Sequence, residues 1–133
     1  MLKILRDDLT GELELSGTRS ELLALGQKLR SGRGEILLAK VSNPFPYTRS
    51  LLRIKFQQAS GKVRISSSGD GEALDVVGRL ESFSLLAENI EGFALEADQD
   101  DHLHVDYFPE HDYLAEGSGS LVVAIGSDAI QES

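Results

Sequence analysis

The chain has no cysteine. That single absence excludes disulfides, thiolate zinc sites, iron–sulfur ligation and a cysteine nucleophile, and it suits a reducing compartment. No apolar run approaches the roughly 18 to 20 residues that a membrane-spanning helix needs. Met1 to Asp8 lacks the apolar stretch of a secretory leader. The expectation is therefore a cytoplasmic protein with no membrane partner. The third absence is of positive charge. All 13 Lys and Arg lie between Lys3 and Arg79, together with nine of the 22 acids, so residues 1–79 carry a formal +4. Residues 80–133 carry the other 13 acids and no base, a formal −13. Such asymmetry has two readings, basic and acidic segments pairing within the fold or an acidic face meeting an external basic partner.

What is present is ordinary for a folded protein: 133 residues, 41% hydrophobic and 26% charged. A chain of this length buries roughly two thirds of its unfolded surface, enough for a core without metal or disulfide support. The reading is one α+β domain over residues 1–126, with a flexible tail over 127–133.

The pattern predicts its elements. Glu12 to Ser16 alternates with strand period. Thr18 with Glu21 three residues on is a capping box, and Leu22, Leu25, Gly26 and Leu29 share one helical face up to a stop at Gly32. Glu35 to Val41 reads as a largely buried strand. Pro44 and Pro46 make Ser42 to Ser50 a loop, since proline cannot donate to a ladder. Leu52 to Gln58 and Lys62 to Ser68 read as a hairpin about Ser60-Gly61, with Arg53, Lys55, Lys62 and Arg64 on one face. Leu74 to Val77 is a short strand. Leu80 to Glu91 is a helix with a stop at Gly92. His102 to Phe108 and Leu121 to Ile125 are strands, with Gly117-Ser118-Gly119 a turn before the second. Aligning Gly17 with Gly78 matches Leu22 to Phe83, Leu25 to Leu86, Gly26 to Ala87 and Leu29 to Ile90. The expected fold is a mixed or mainly antiparallel sheet with two helices packed on one face; the echo has two readings, a pseudo-duplicated strand–helix–strand unit or two strand–turn–helix pieces that merely look alike.

Several chemistries can be weighed. His102, His104 and Asp106 alternate with Leu103, Val105 and Tyr107, so they share a strand face and could hold Zn²⁺ with His111 or Asp112 as a further ligand. The opposing reading is a solvent-facing strand with polar residues outward. Ser66 to Gly71 lacks the lysine and glycine spacing of a phosphate-binding loop. No Gly-x-Ser-x-Gly elbow occurs. Arg49, Arg53, Lys55, Lys62 and Arg64, near Phe45 and Tyr47, could touch phosphates, but a net charge of −9 opposes nucleic acid at long range. No catalytic, cofactor or metal residue is assigned.

The stretch His102-Leu-His-Val-Asp-Tyr-Phe-Pro, through Tyr113-Leu-Ala-Glu-Gly-Ser to Ser120-Leu-Val-Val, resembles the bacterial immunity protein 32 family of polymorphic toxin systems. The likeness is clearest over residues 102–124, and the upstream strand–Gly–helix pattern is compatible. The resemblance implies a small α+β cytoplasmic protein that binds and neutralises a cognate toxin domain without catalysis. An acidic surface would attract a basic toxin. The expected partner-binding residues are Asp106, Tyr107, Phe108, Glu110, His111, Asp112, Tyr113 and Glu116. The alternative for them is a structural turn with Tyr107 or Phe108 in the core. Two other functions stand beside this one: a metal-binding protein or metal-dependent hydrolase using His102, His104 and Asp106, and a homo-oligomeric structural domain such as a homodimer.

Overall fold

A computed structural model describes residues 1–126; the expected tail at 127–133 lies outside the described residues. The chain runs β1 (Lys3–Arg6), β2 (Leu13–Gly17), α1 (Arg19–Ser31), β3 (Gly34–Leu37), β4 (Arg49–Ser50), β5 (Arg53–Gln58), β6 (Arg64–Ser67), β7 (Ala73–Gly78), α2 (Leu80–Glu96), β8 (His102–Val105) and β9 (Leu121–Ile125). The α+β class and the mixed pairing are as expected, but the strands form two sheets rather than one. Their orders are β4–β1–β2–β9–β8 and β3–β5–β7–β6.

Those orders follow from a repeat. β1 pairs antiparallel with β2, as β6 does with β7. β3 pairs antiparallel with β5, as β8 does with β9. β2 pairs parallel with β9, as β5 does with β7. Each repeat, β1-β2-α1-β3-β5 or β6-β7-α2-β8-β9, gives its first two strands to one sheet and its last two to the other, and its helix makes the crossing. The register repeats as well. Ile4 faces Leu15 as Ile65 faces Val76, at the spacing that separates Gly17 from Gly78. The Gly17 carbonyl accepts from the Gly126 amide (2.7 Å) and the Gly78 carbonyl from the Ala59 amide (2.9 Å). Neither sheet is complete without both repeats.

α1 has its capping box: the Thr18 hydroxyl accepts from the Glu21 amide at 3.1 Å, and the Glu21 carboxylate accepts from the Thr18 amide at 2.9 Å. It ends at Gly32, where φ is 70°, a left-handed cap that glycine adopts without strain. Leu22, Leu25 and Leu29 face inward, as do Phe83, Leu86, Ala87, Ile90 and Ala94 of α2. These side chains join one core cluster with Ile4, Leu13, Leu15 and Val123 of the first sheet and Ile54, Ile65, Leu74 and Val76 of the second. The helices therefore share a core with both sheets instead of lying on one face of a single sheet. Gly26 leaves room for the Glu91 side chain against α1, where Arg30 binds its carboxylate (2.6 and 3.3 Å).

Three expected elements are corrected. α2 does not stop at Gly92 but runs to Glu96. Glycine there costs about 1 kcal/mol relative to alanine, yet Ile90 and Ala94 on either side are buried and hold the extra turn. The strand expected over Glu35 to Val41 is only Gly34–Leu37, an edge strand whose Leu37 is 64% exposed. By Ala39 the backbone has left it, and the Ala39 amide donates to the carbonyl of Leu2, just before β1 of the other sheet. The expected hairpin is not formed, because β7 lies between β5 and β6. β7 buries Ala73, Leu74, Val76 and Gly78, so it takes the interior place that a two-strand hairpin would leave empty. The turn signal at Ser60-Gly61 is real, but the turn wraps the end of β7: the Gly61 carbonyl accepts from the Arg79 amide at 3.0 Å. The four cations do not share a hairpin face. Lys55 lies opposite Asp75, Arg53 is 4.0 Å from Glu72, and Lys62 turns toward the segment after β8.

This crossing makes Gly78 exacting. A Cβ there would lie 2.8 Å from the Val63 Cα and 3.0 Å from its amide nitrogen, both backbone atoms. Gly78→Ala is expected to lower stability by about 1–3 kcal/mol, the usual cost of overpacking. At the repeat-related Gly17 the nearest obstacle is the Leu2 side-chain tip, which can rotate, so Gly17→Ala should cost less. Urea unfolding of the two variants checks the order.

Candidate functional site: the turn after β8 and the groove beside it

The connections inside the two repeats, residues 38–52 and 106–120, do the same job. Each leaves its strand and covers the open edge of a strand of its own repeat. In the first repeat β4 pairs with β1, and the Leu51 amide donates to the Ile4 carbonyl at 2.9 Å. In the second the chain runs beside β6. The Val63 amide donates to the Tyr113 carbonyl (2.8 Å), the Ala115 amide to the Val63 carbonyl (2.7 Å) and the Gly119 amide to the Ile65 carbonyl (2.8 Å). The expected strand His102 to Phe108 therefore ends at Val105, because beyond it the backbone finds its partners on the other sheet.

His111 organises this turn. It is 8% exposed, and its Nδ1 accepts from the amides of both Tyr113 and Leu114 at 3.1 Å. Nδ1 must then be unprotonated and the imidazole neutral. Burial lowers its pKa from the ordinary 6.5; the Asp112 carboxylate opposes this and Lys62 reinforces it. Phe108 lies over the ring at 4.6 Å between centroids, and Tyr113 meets it edge-on at 4.5 Å. Lys62 donates to the His111 carbonyl. Asn89 of α2 donates to the Tyr113 hydroxyl at 2.6 Å, a phenol whose pKa burial raises while the Asn89 bond opposes. Glu110 stands at φ 67°, a left-handed conformation uncommon outside glycine, asparagine and aspartate.

The eight residues expected to meet a partner are thus sorted in two. Asp106, Tyr107, Phe108, Glu110, Asp112 and Glu116 are exposed, Phe108 at 58%. His111 and Tyr113 are buried and shape the turn from within. The alternative that placed Tyr107 or Phe108 in the core is corrected, since the inward pair is His111 and Tyr113. His102 and His104 are exposed on β8, while Asp106, past the strand end, accepts from the Ser120 hydroxyl. Among the described residues no three His, Asp or Glu side chains converge as a metal site requires.

Some of the charge asymmetry is answered inside the fold. α2 has no basic residue in its last turn, and Arg19 of α1 supplies one, donating to the carbonyls of Ala94 and Ala97 (the latter at 3.1 Å); a cation there also suits the helix dipole. Of the acids after Arg79, only Glu81 and Glu91 make ion pairs among the described residues, with Arg79 and Arg30. The other acids after Arg79 among the described residues are exposed. They gather along β8, the turn and the outer side of α2, where Glu88, Gly92, Phe93, Glu96, Asp101 and Leu103 line a groove of about 670 Å³.

Residues 73–126 match the family model of immunity protein 32. The resemblance carried by residues 102–124 is borne out, and the match reaches upstream to take in β7 and all of α2. The matched segment contains the turn, the groove and both strands that flank them, in less than half of the chain. It implies an immunity-type role. No curated protein and no solved structure compared with the chain matches it. No helix among the described residues is long and apolar enough to cross a membrane.

Sequence reasoning found the turn but missed Asn89, Lys62 and the inward role of His111. The signal for His111 was its position: a side-chain acceptor two and three residues before amides that must be buried is what an Asx-type turn uses.

Proposed function

We propose that this chain is a cytoplasmic immunity protein that binds a cognate, basic toxin domain and neutralises it by occupancy, with no chemistry of its own. The observation that carries the reading is the immunity protein 32 match over the segment where unpaired acids surround two exposed aromatics. Aromatic side chains on a held backbone are good interface anchors, and surrounding charge speeds encounter with a partner of opposite sign. Here Tyr107 and Phe108 are the anchors, and Asp106, Glu110, Asp112 and Glu116 surround them. His111 and Tyr113 take part by fixing the turn from beneath. The corresponding connection of the first repeat, residues 38–52, contains no acid, and the carboxylates beside it are engaged: Asp8 with Arg49 (2.9 Å), and Glu14 and Glu12 with the Tyr47 hydroxyl (3.0 and 3.3 Å).

Co-expression with the product of the neighbouring reading frame tests this. A stable complex and rescue from that product's toxicity are expected. Failure of both would overturn the reading.

A further inference from the structure

The strands at the ends of the two sheets are β4, β8, β3 and β6. The turn covers β6 and β4 is only two residues long, which leaves β3 and β8 as the four-residue open edges among the described residues. The repeat relates these two strands, and each borders a groove against the helix of its own repeat. The two grooves differ in chemistry. Beside β3 the lining is apolar, with Lys28 among Glu21 and Glu35. Beside β8 the charged groups are Glu88, Glu96 and Asp101, all acidic, above a floor of Phe93 and Leu103. Gly92 opens the middle of this second groove. A Cβ there would meet nothing within 4 Å among the described residues, so none of them explains a glycine in mid-helix. Glycine in such a place serves close approach by another backbone or ligand. Asn89 lines the groove and also holds Tyr113, so groove and turn adjoin.

We infer that the β8 edge and the α2 groove receive an extended segment of the toxin with Lys or Arg at alternate positions, added as a further strand beside His102–Val105. This rests on the toxin-binding reading and extends its surface from the turn along β8. Strand addition supplies main-chain hydrogen bonds, and alternate side chains then fall on one side. In this orientation the basic ones reach Glu88, Glu96 and Asp101 over Gly92. The β3 edge, open but of mixed charge, is the built-in control.

A capped heptapeptide of alternating Arg and Val is a probe that does not require the toxin. Titrated into the isotopically labelled full chain, it should shift the amides of His102–Val105 and Gly92 and leave those of Gly34–Leu37 in place. A Glu/Val peptide should shift neither. Glu88→Lys with Glu96→Lys should weaken the Arg/Val peptide at least tenfold. Gly92→Gln should do so without reversing a charge. Gly92→Ala should raise the urea midpoint, which shows that the glycine is not there for the fold. Equal shifts at both edges, shifts scattered over the acidic surface, or no shifts would overturn the inference. So would a complex with the neighbouring product that the Glu88→Lys, Glu96→Lys variant leaves at full strength. That last result removes the groove and keeps the immunity reading, whereas failure of the wild-type complex removes the immunity reading itself.

Discussion

His111→Ala is expected to destabilise the fold by about 2–4 kcal/mol. The imidazole Nδ1 is the partner of two buried amides, Tyr113 and Leu114, and a buried donor left unsatisfied costs about 1–3 kcal/mol. The ring also fills the space between Phe108 and Tyr113. His111→Asn separates these contributions. Its side-chain oxygen can stand where Nδ1 stands and accept the same two bonds, so about half of the loss should return. The wild type should also respond to acid through this residue. The folded pKa is lowered, chiefly by burial. The unfolded chain therefore binds the proton first, and stability present above the ordinary value of 6.5 is lost as pH falls from there through the folded value. His111→Asn should remove that part of the pH dependence. Urea midpoints measured at intervals between pH 7.5 and 5 give both results. A His111→Ala variant as stable as the wild type would contradict the account of the turn.

Phe83→Ala should cost about 3–5 kcal/mol, the range for a large aromatic removed from a packed core. Phe83 is fully buried at the start of α2, and its repeat-related partner in α1 is Leu22, equally buried. Both sit where the helix crosses from one sheet to the other. Phe83→Leu gives the second repeat the side chain that the first already uses, and should cost about 1–1.5 kcal/mol because little volume is lost. Because each sheet takes strands from both repeats, Phe83→Ala should lower the midpoint of one cooperative transition at unchanged m-value. A second transition, with one sheet melting alone, would show that the repeats are less interdependent than their pairing requires.

Some of this was legible in the residues and some was not, for physical reasons. The echo between the two helices was visible because Leu22, Leu25, Gly26 and Leu29 and their counterparts face the same core, and burial leaves a period in the sequence; the repeat it belongs to is settled only by the strand pairing. α1 was bounded well because Thr18, Glu21 and Gly32 end it by local bonds. α2 was cut short because Gly92 looks like a stop, while what extends the helix is packing at Ala94, which no local signal shows. The hairpin failed for the same reason. Ser60-Gly61 makes a turn, but pairing depends on β7, a strand further along the chain. At the site, alternation carried from Val105 to Phe108 misplaced the turn's side chains. The rule holds only while the backbone stays in its own sheet, and here it crosses to Val63 and Ile65. The exposed acids were legible from charge alone. That His111 and Tyr113 lie beneath them was not.

We propose that the exposed face of this turn holds the toxin. The most direct test is the affinity of the neighbouring reading frame's product for wild type and for Phe108→Ala, Glu110→Lys and Asp112→Lys, measured calorimetrically at low and high salt. All three positions are exposed, so the two charge reversals should fold like wild type, and the urea midpoint of Phe108→Ala, which loses its contact with the His111 ring, is measured beside its affinity. Each variant is expected to weaken binding at least tenfold, about 1.4 kcal/mol, and the two charge reversals also to reduce the salt dependence. Wild-type affinity and salt dependence in all three would contradict the proposal.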